Sequence, residues 1–234
     1  LEEVRGYMEI GEGTITESQT EDKDWINNWK EFFHQFYVDD ILIVPSWEEI
    51  KEEDKDKMIL HIDPGTAFGT GMHETTQLVI RQLKKYVKPG IALLDVGTGS
   101  GILGITALKL GAGHVVGTDL DPCAVPAVQD NKEANQIVDD TFDMMIGNII
   151  DDKEVQDQVG YEKYDIVAAN ILADVLVPLT PVIVHQMKKG AYYITSGILD
   201  VKEEVVKEAV QKAGLTLVEV TRQGEWVCVT ARKD

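Results

Sequence analysis

The chain has 234 residues, 44% hydrophobic and 27% charged, enough apolar material for one sizeable core or one core with a small appendage, which excludes wholesale disorder, collagen or coiled coil. Lys and Arg number 22 against 41 Asp and Glu, a formal net charge of −19. A duplex-binding surface needs the opposite sign, so direct binding of nucleic acid is not expected and a basic partner is. Cys123 and Cys228 stand far apart without C-x-x-C spacing, which argues against a disulfide framework or a zinc site and for a reducing, cytoplasmic home. The longest apolar stretch, 166–179, is interrupted by Asn170 and Asp174 and is too short to span a bilayer, so no membrane role is expected. Position 1 is Leu and the first dozen residues carry no clean pattern, which reads as an excised fragment of a longer protein.

Residues 1–57 hold 17 of the acidic residues and 6 of the basic ones, −11 of the total, together with Trp25, Trp29 and Trp47. Asp24 is placed to cap a helix whose apolar positions Trp25, Ile26, Trp29, Phe32, Phe33 and Phe36 follow helical spacing. A short strand over 41–44, ended by Pro45, and an acidic stretch over 48–57 follow. From residue 58 the pattern becomes alternating strand and helix, the signature of a parallel sheet covered on both faces. The expected helices are 74–86, 102–110, 123–135, 175–187 and 202–213; the expected strands are 91–96, 114–119, 142–146, 164–169, 191–196, 215–221 and 225–231. Only Arg222-Gln223-Gly224 separates the last two strands, too few residues for anything but a hairpin, so the final strand must run antiparallel.

Asp95-Val96-Gly97-Thr98-Gly99-Ser100-Gly101 puts a glycine-rich turn between a buried strand and a helix, where backbone can approach a ligand and the helix N-terminus offers unpaired N–H groups. Alone this is a weak signal, since Gly99, Gly101 and Gly104 also satisfy G-x-G-x-x-G. The following strand ends in Asp119, 22 residues beyond Gly97, where a carboxylate accepts both hydroxyls of a ribose. That ribose belongs equally to nicotinamide nucleotides and to S-adenosylmethionine. Three features favour the latter: Asp95 beside the turn suits a cationic ligand better than a pyrophosphate, the C-terminal hairpin is unusual in dehydrogenase sheets, and no Tyr-x-x-x-Lys occurs.

These features resemble class I S-adenosylmethionine-dependent methyltransferases. Within them, Asp63-Pro-Gly-Thr-Ala-Phe-Gly-Thr-Gly-Met-His-Glu-Thr-Thr76, Ala169-Asn170-Ile171-Leu172-Ala173 and Ser196-Gly197-Ile198-Leu199 resemble the ribosomal protein L11 methyltransferases. The resemblance covers roughly residues 22–234. It implies a Rossmann-like α/β fold with a mostly parallel seven-stranded sheet, an antiparallel last strand and helices on both faces. It implies, too, an enzyme that methylates amino groups, Lys side chains and the N-terminal amine, of a basic large-subunit ribosomal protein, with S-adenosylmethionine as cofactor. Residues 1–57 would be an acidic linker and the remnant of a substrate-recognition region, and residues 58–234 the methyltransferase domain.

The resemblance further implies that Thr76, Gly97, Asp119 and Asn170 contact the cofactor, with Gly99 in the same turn. Asn170, at the C-terminal end of an expected strand, is also the expected catalytic residue, its amide oxygen accepting from an incoming amine and its NH₂ holding the cofactor's methionine part. Phe68 is assigned either to covering the cofactor or to the core, His73 to capping or packing, Asn148 to an adenine edge, Trp226 to sheet packing and Asp121 to capping the helix at Pro122. No metal site is expected, because His73 has neither HExxH nor a second His at helical spacing. A methyltransferase for another protein, a small molecule or nucleic acid, a non-catalytic cofactor-binding module and a nicotinamide-dependent reductase are the alternatives. Oligomeric state is open, with a monomer favoured.

Overall fold

The computed structural model describes residues 34–63 and 71–234. His34–Asp234 form one compact unit. The helix expected after Asp24 lies outside the described residues except for Phe36, and there the expectation is corrected. Phe36 opens strand β1 (Phe36–Val38), which pairs antiparallel with β2 (Ile41–Val44) across Asp39 and Asp40. Three consecutive β-formers and an Asp39 held at φ 55°, a conformation Asp tolerates in tight turns, outweigh the helical spacing. Strand β3 (Met58–His61) adds parallel to β2, so this small sheet crosses the boundary expected at residue 58.

The main sheet contains β4 (Ala92–Val96), β5 (His114–Asp119), β6 (Phe142–Ile146), β7 (Tyr164–Asn170), β8 (Met187–Leu199), β9 (Leu215–Gln223) and β10 (Trp226–Lys233). Their spatial order is β6-β5-β4-β7-β8-β10-β9, and β10 alone is reversed, inserted antiparallel between β8 and β9. The helices are α1 (Glu74–Tyr86), α2 (Ile102–Lys109), α3 (Ala124–Ala134), α4 (Lys153–Val159), α5 (Ala173–Ile183) and α6 (Glu203–Lys212). Strand β7 shows why both faces are covered: Ile166 and Ala168 enter one apolar cluster with α1 and α2, while Val167 and Ala169 enter the other with α5 and α6.

Helix α4 and strand β3 were not expected. Asp152 caps α4, its Oδ1 accepting from the N–H groups of Glu154 and Val155, and the helix ends at Gly160 with φ 88°. Met58–His61 carry little period-2 contrast, and the strand is fixed from outside itself. The side-chain amide of Asn135, the C-cap of α3, accepts from His61 N–H and donates to His61 C=O, as a neighbouring strand would. Helix α5 stops at Ile183, earlier than the expected 187, because Met187 already pairs with Tyr164 in the sheet. No helix of the described residues is long and apolar enough to cross a membrane.

Candidate functional site

A cavity of about 640 Å³ runs along the C-terminal edge of the parallel strands. Six neighbouring strands contribute in spatial order: Gly147 and Asn148 after β6, Asp119 of β5, Val96 and Gly97 of β4, Asn170 of β7, Gly197 of β8 and Trp226 of β10. Its size is that of a cofactor site, and its lining, with Leu120, Ile149, Ile150, Ile171, Leu172 and Val175, is mainly apolar with a few polar groups.

The glycine turn is held from beneath. The N–H groups of Gly97 and Thr98 donate to Thr118 C=O at 2.8 and 3.1 Å, and Gly99 N–H donates to Asp119 Oδ2 at 2.8 Å. Gly97, Gly99 and Gly101 all have positive φ, which a side chain at any of them would strain. Asp119 Oδ1 accepts from Asp121 N–H at 3.0 Å, so each carboxylate oxygen takes one backbone donor and keeps acceptor capacity for one more. Asp121 Oδ1 accepts from Cys123 N–H in the turn that leads into α3.

Asp95 departs from its expected role. It does not line the cavity but lies fully buried between β4 and α2, where Oδ2 accepts from Thr98 Oγ1 at 2.8 Å and from Gly104 N–H at 3.2 Å. Its Oδ1 finds no hydrogen-bond partner, and burial, aided by the charge of Asp119, pushes its carboxyl up to about 6 against the two hydrogen bonds. The side chain braces the turn. Strand alternation explains this: Leu93 and Asp95 face α2, and only Val96 and the residues after it reach the edge.

Asn170 lines the cavity at the end of β7, and its Nδ2 donates to Thr76 Oγ1 at 3.1 Å, so one of its two amide N–H bonds is committed within the protein. Thr76 is buried in the first turn of α1 and is not among the lining residues; Thr75 is. His73 caps α1, its Nδ1 accepting from Thr75 N–H at 3.3 Å. Asn148 lines the cavity while its amide closes a local turn with Ile150 N–H and Asp151. The β7–β8 junction is tight. A Cβ on Gly197, at φ 83°, would lie 2.4 Å from Ile171 C=O and displace the turn that carries Asn170.

The expected Gly97, Gly99, Asp119 and Asn170 thus meet in one cavity, with Thr76 behind Asn170. Phe68 lies outside the described residues. Sequence reading missed Trp226 as a lining residue; its place at the first residue of a reversed strand was the available signal, since reversal brings that residue to the edge where the parallel strands end.

The family described as "Ribosomal protein L11 methyltransferase (PrmA)" matches residues 2–234. A ribosomal protein L11 methyltransferase from Lachnospira eligens is 59% identical over all of this chain and 74% of its own length. The crystal structure of a ribosomal protein L11 methylase from Lactobacillus delbrueckii subsp. bulgaricus superposes with TM-score 0.76 at 31% identity, over 86% of this chain and 100% of that one. A putative SAM-dependent methyltransferase from Streptococcus mutans shares the fold at TM-score 0.60 and 13% identity, over 74% of this chain and 52% of that one. With a match this long and identity this high, the chain belongs to the ribosomal protein L11 methyltransferase family.

Proposed function

We propose that this chain is a cytoplasmic protein N-methyltransferase that moves methyl groups from S-adenosylmethionine to amino groups of ribosomal protein L11, both Lys side chains and the N-terminal amine. The observation that carries this is the placement of Asp119 and Asn170 in one edge cavity, two strands apart in sheet order with β4 between them, in a chain of this family. The cavity fits the cofactor: a carboxylate with acceptor capacity for two ribose hydroxyls, a glycine backbone that permits close approach, and an apolar remainder. When bound, S-adenosylmethionine supplies a methyl group on a cationic sulfur; the amine lone pair takes it as the C–S bond breaks onto sulfur, and the surplus N–H proton leaves to water.

In this reading Asp119 holds the ribose and Gly97 and Gly99 admit the methionine part. Thr76 fixes the Asn170 amide, whose oxygen accepts an N–H of the incoming amine and so orients its lone pair. A free lysine amine titrates near ~10.4 and must be neutral to attack. The apolar walls Ile171, Leu172 and Val175 withdraw it from water, and the neighbouring sulfonium repels its charge; both shift it toward the neutral form. Replacing Asn170 by alanine is expected to cut methylation of purified L11 at least tenfold with the melting temperature preserved. Unchanged turnover would remove Asn170 from the mechanism.

Residues 58–234 carry −8 of the −19, and a basic ribosomal protein would meet that field. Association with L11 should slow markedly between low and physiological salt in stopped-flow measurements; a salt-independent rate would leave the acidity a matter of solubility.

A further inference from the structure

The cavity extends past the point where the proposed cofactor ends. Asp119 on β5 and the glycine turn after β4 take the ribose and the amino-acid part, which puts the methyl group beside Asn170 at the end of β7. Beyond β7 the cavity continues over β8 and β10, about two further strand spacings or roughly 10 Å. The wall at that far end is the indole of Trp226.

We infer that the acceptor amine enters over β8 and β10 and that the Trp226 indole is the wall against which it lies, a residue that selects an amine on a flexible aliphatic stem. The inference rests on the methyltransferase reading above and deepens it. Trp226 is tied to Asn170 through two strands. Asn170 sits opposite Ser196 in the β7–β8 register, and Ser196 Oγ donates to the carbonyl of Val227, the residue after Trp226, at 3.1 Å. Across the cavity mouth His73 packs on the indole, ring centroids 4.8 Å apart at 68°, an edge-to-face contact that holds the ring in place. His73 is itself fixed as the cap of α1, the helix that also carries Thr75 into the lining and Thr76 onto Asn170. Cofactor end, transfer point and aromatic wall are therefore positioned by one continuous set of contacts.

The chemistry of the wall matches the acceptor. A tryptophan face gives the strongest side-chain attraction for an ammonium, and its ring area packs against the four-methylene stem of lysine. It holds the amine while charged and keeps its attraction for the stem once the proton has gone. Ser196, Gly197 and Val227 offer no such surface, and the exposed Leu172 and Val175 extend the apolar rim on the β7 side.

The test compares Trp226→Leu and Trp226→Phe with the wild type. With L11 and S-adenosylmethionine, Trp226→Leu should lower kcat/KM at least tenfold and Trp226→Phe should recover most of it, while S-adenosylhomocysteine affinity by calorimetry stays within twofold for both. Tryptophan fluorescence of the S-adenosylhomocysteine-loaded protein, titrated with N-acetyl-lysine methylamide, should show a quench in the wild type that is absent from Trp226→Phe. A kcat/KM within threefold of wild type in Trp226→Leu would overturn the inference, as would equal loss of cofactor affinity. Wild-type protein that shows the quench but leaves L11 unmethylated would retain the wall and overturn the choice of substrate. A quench identical in the wild type and Trp226→Phe would overturn the wall and leave the methyltransferase reading standing.

Discussion

Replacing Asp119 by alanine is expected to weaken S-adenosylmethionine binding about 100-fold or more, measured by titration calorimetry, with the protein still folded. Two losses combine. The carboxylate holds Gly99 N–H on Oδ2 and Asp121 N–H on Oδ1, so its removal frees the glycine turn on one side and the entry to α3 on the other. It also removes the acceptor we propose for both ribose hydroxyls. Hydrogen bonds to a charged group contribute about 1.5–3 kcal/mol each, so the two ribose contacts alone correspond to about 3 kcal/mol at the low end, or roughly a factor of 100. Asp119→Asn separates the contributions, because its single amide oxygen can serve one side and its NH₂ presents a donor where an acceptor is needed. It should fall between wild type and alanine. An alanine variant that binds the cofactor within threefold of wild type would show that the carboxylate serves only the turn.

The parallel sheet was readable because its strands are buried on both faces and bounded by glycine, and because a three-residue link at 222–224 admits only a hairpin. The order of the strands is set by crossover connections that no single-strand pattern contains, and it is this order that brings Gly97, Gly99, Asp119 and Asn170 to one edge. What was not readable depended on partners distant in sequence. Helical spacing running into Phe36 gave no hint that Ile43 would pair with it. Met58–His61 became a strand partly because Asn135, 74 residues away from His61, supplies the hydrogen bonds of a missing neighbour. Asp95 looked like a ligand residue because it stands next to the glycine turn, yet alternation along β4 turns it inward. Trp226 looked like sheet packing because its distance from Asn170 is set by the β7–β8–β10 register, which single-strand patterns do not contain.

The stability of the fold should carry a pH signature that Asp95→Asn removes. The folded carboxyl is raised from its ordinary 3.8 to about 6, so the folded state binds the proton more tightly than the unfolded chain. The stabilisation from this group is therefore fully present below about pH 4 and is lost as pH rises through 6; above that the buried charge imposes a constant cost on the order of 3 kcal/mol. Asparagine can keep both existing bonds, with its oxygen accepting from Thr98 Oγ1 and Gly104 N–H, while its NH₂ takes the place of the unpartnered Oδ1. That buried donor costs about 1–3 kcal/mol at every pH, so the absolute stabilities of the two proteins say little. The difference between their urea unfolding free energies is the informative quantity, because every other titrating group cancels in it. It should shift in favour of Asp95→Asn by on the order of 3 kcal/mol between pH 4 and 7.5, with most of the change complete by pH 7. Parallel curves would mean that the carboxyl titrates normally and that water reaches Oδ1. A shift of the expected size would mean that the glycine turn proposed to hold the cofactor is braced by a carboxylate the protein keeps buried and ionised at neutral pH, at a cost to its own stability.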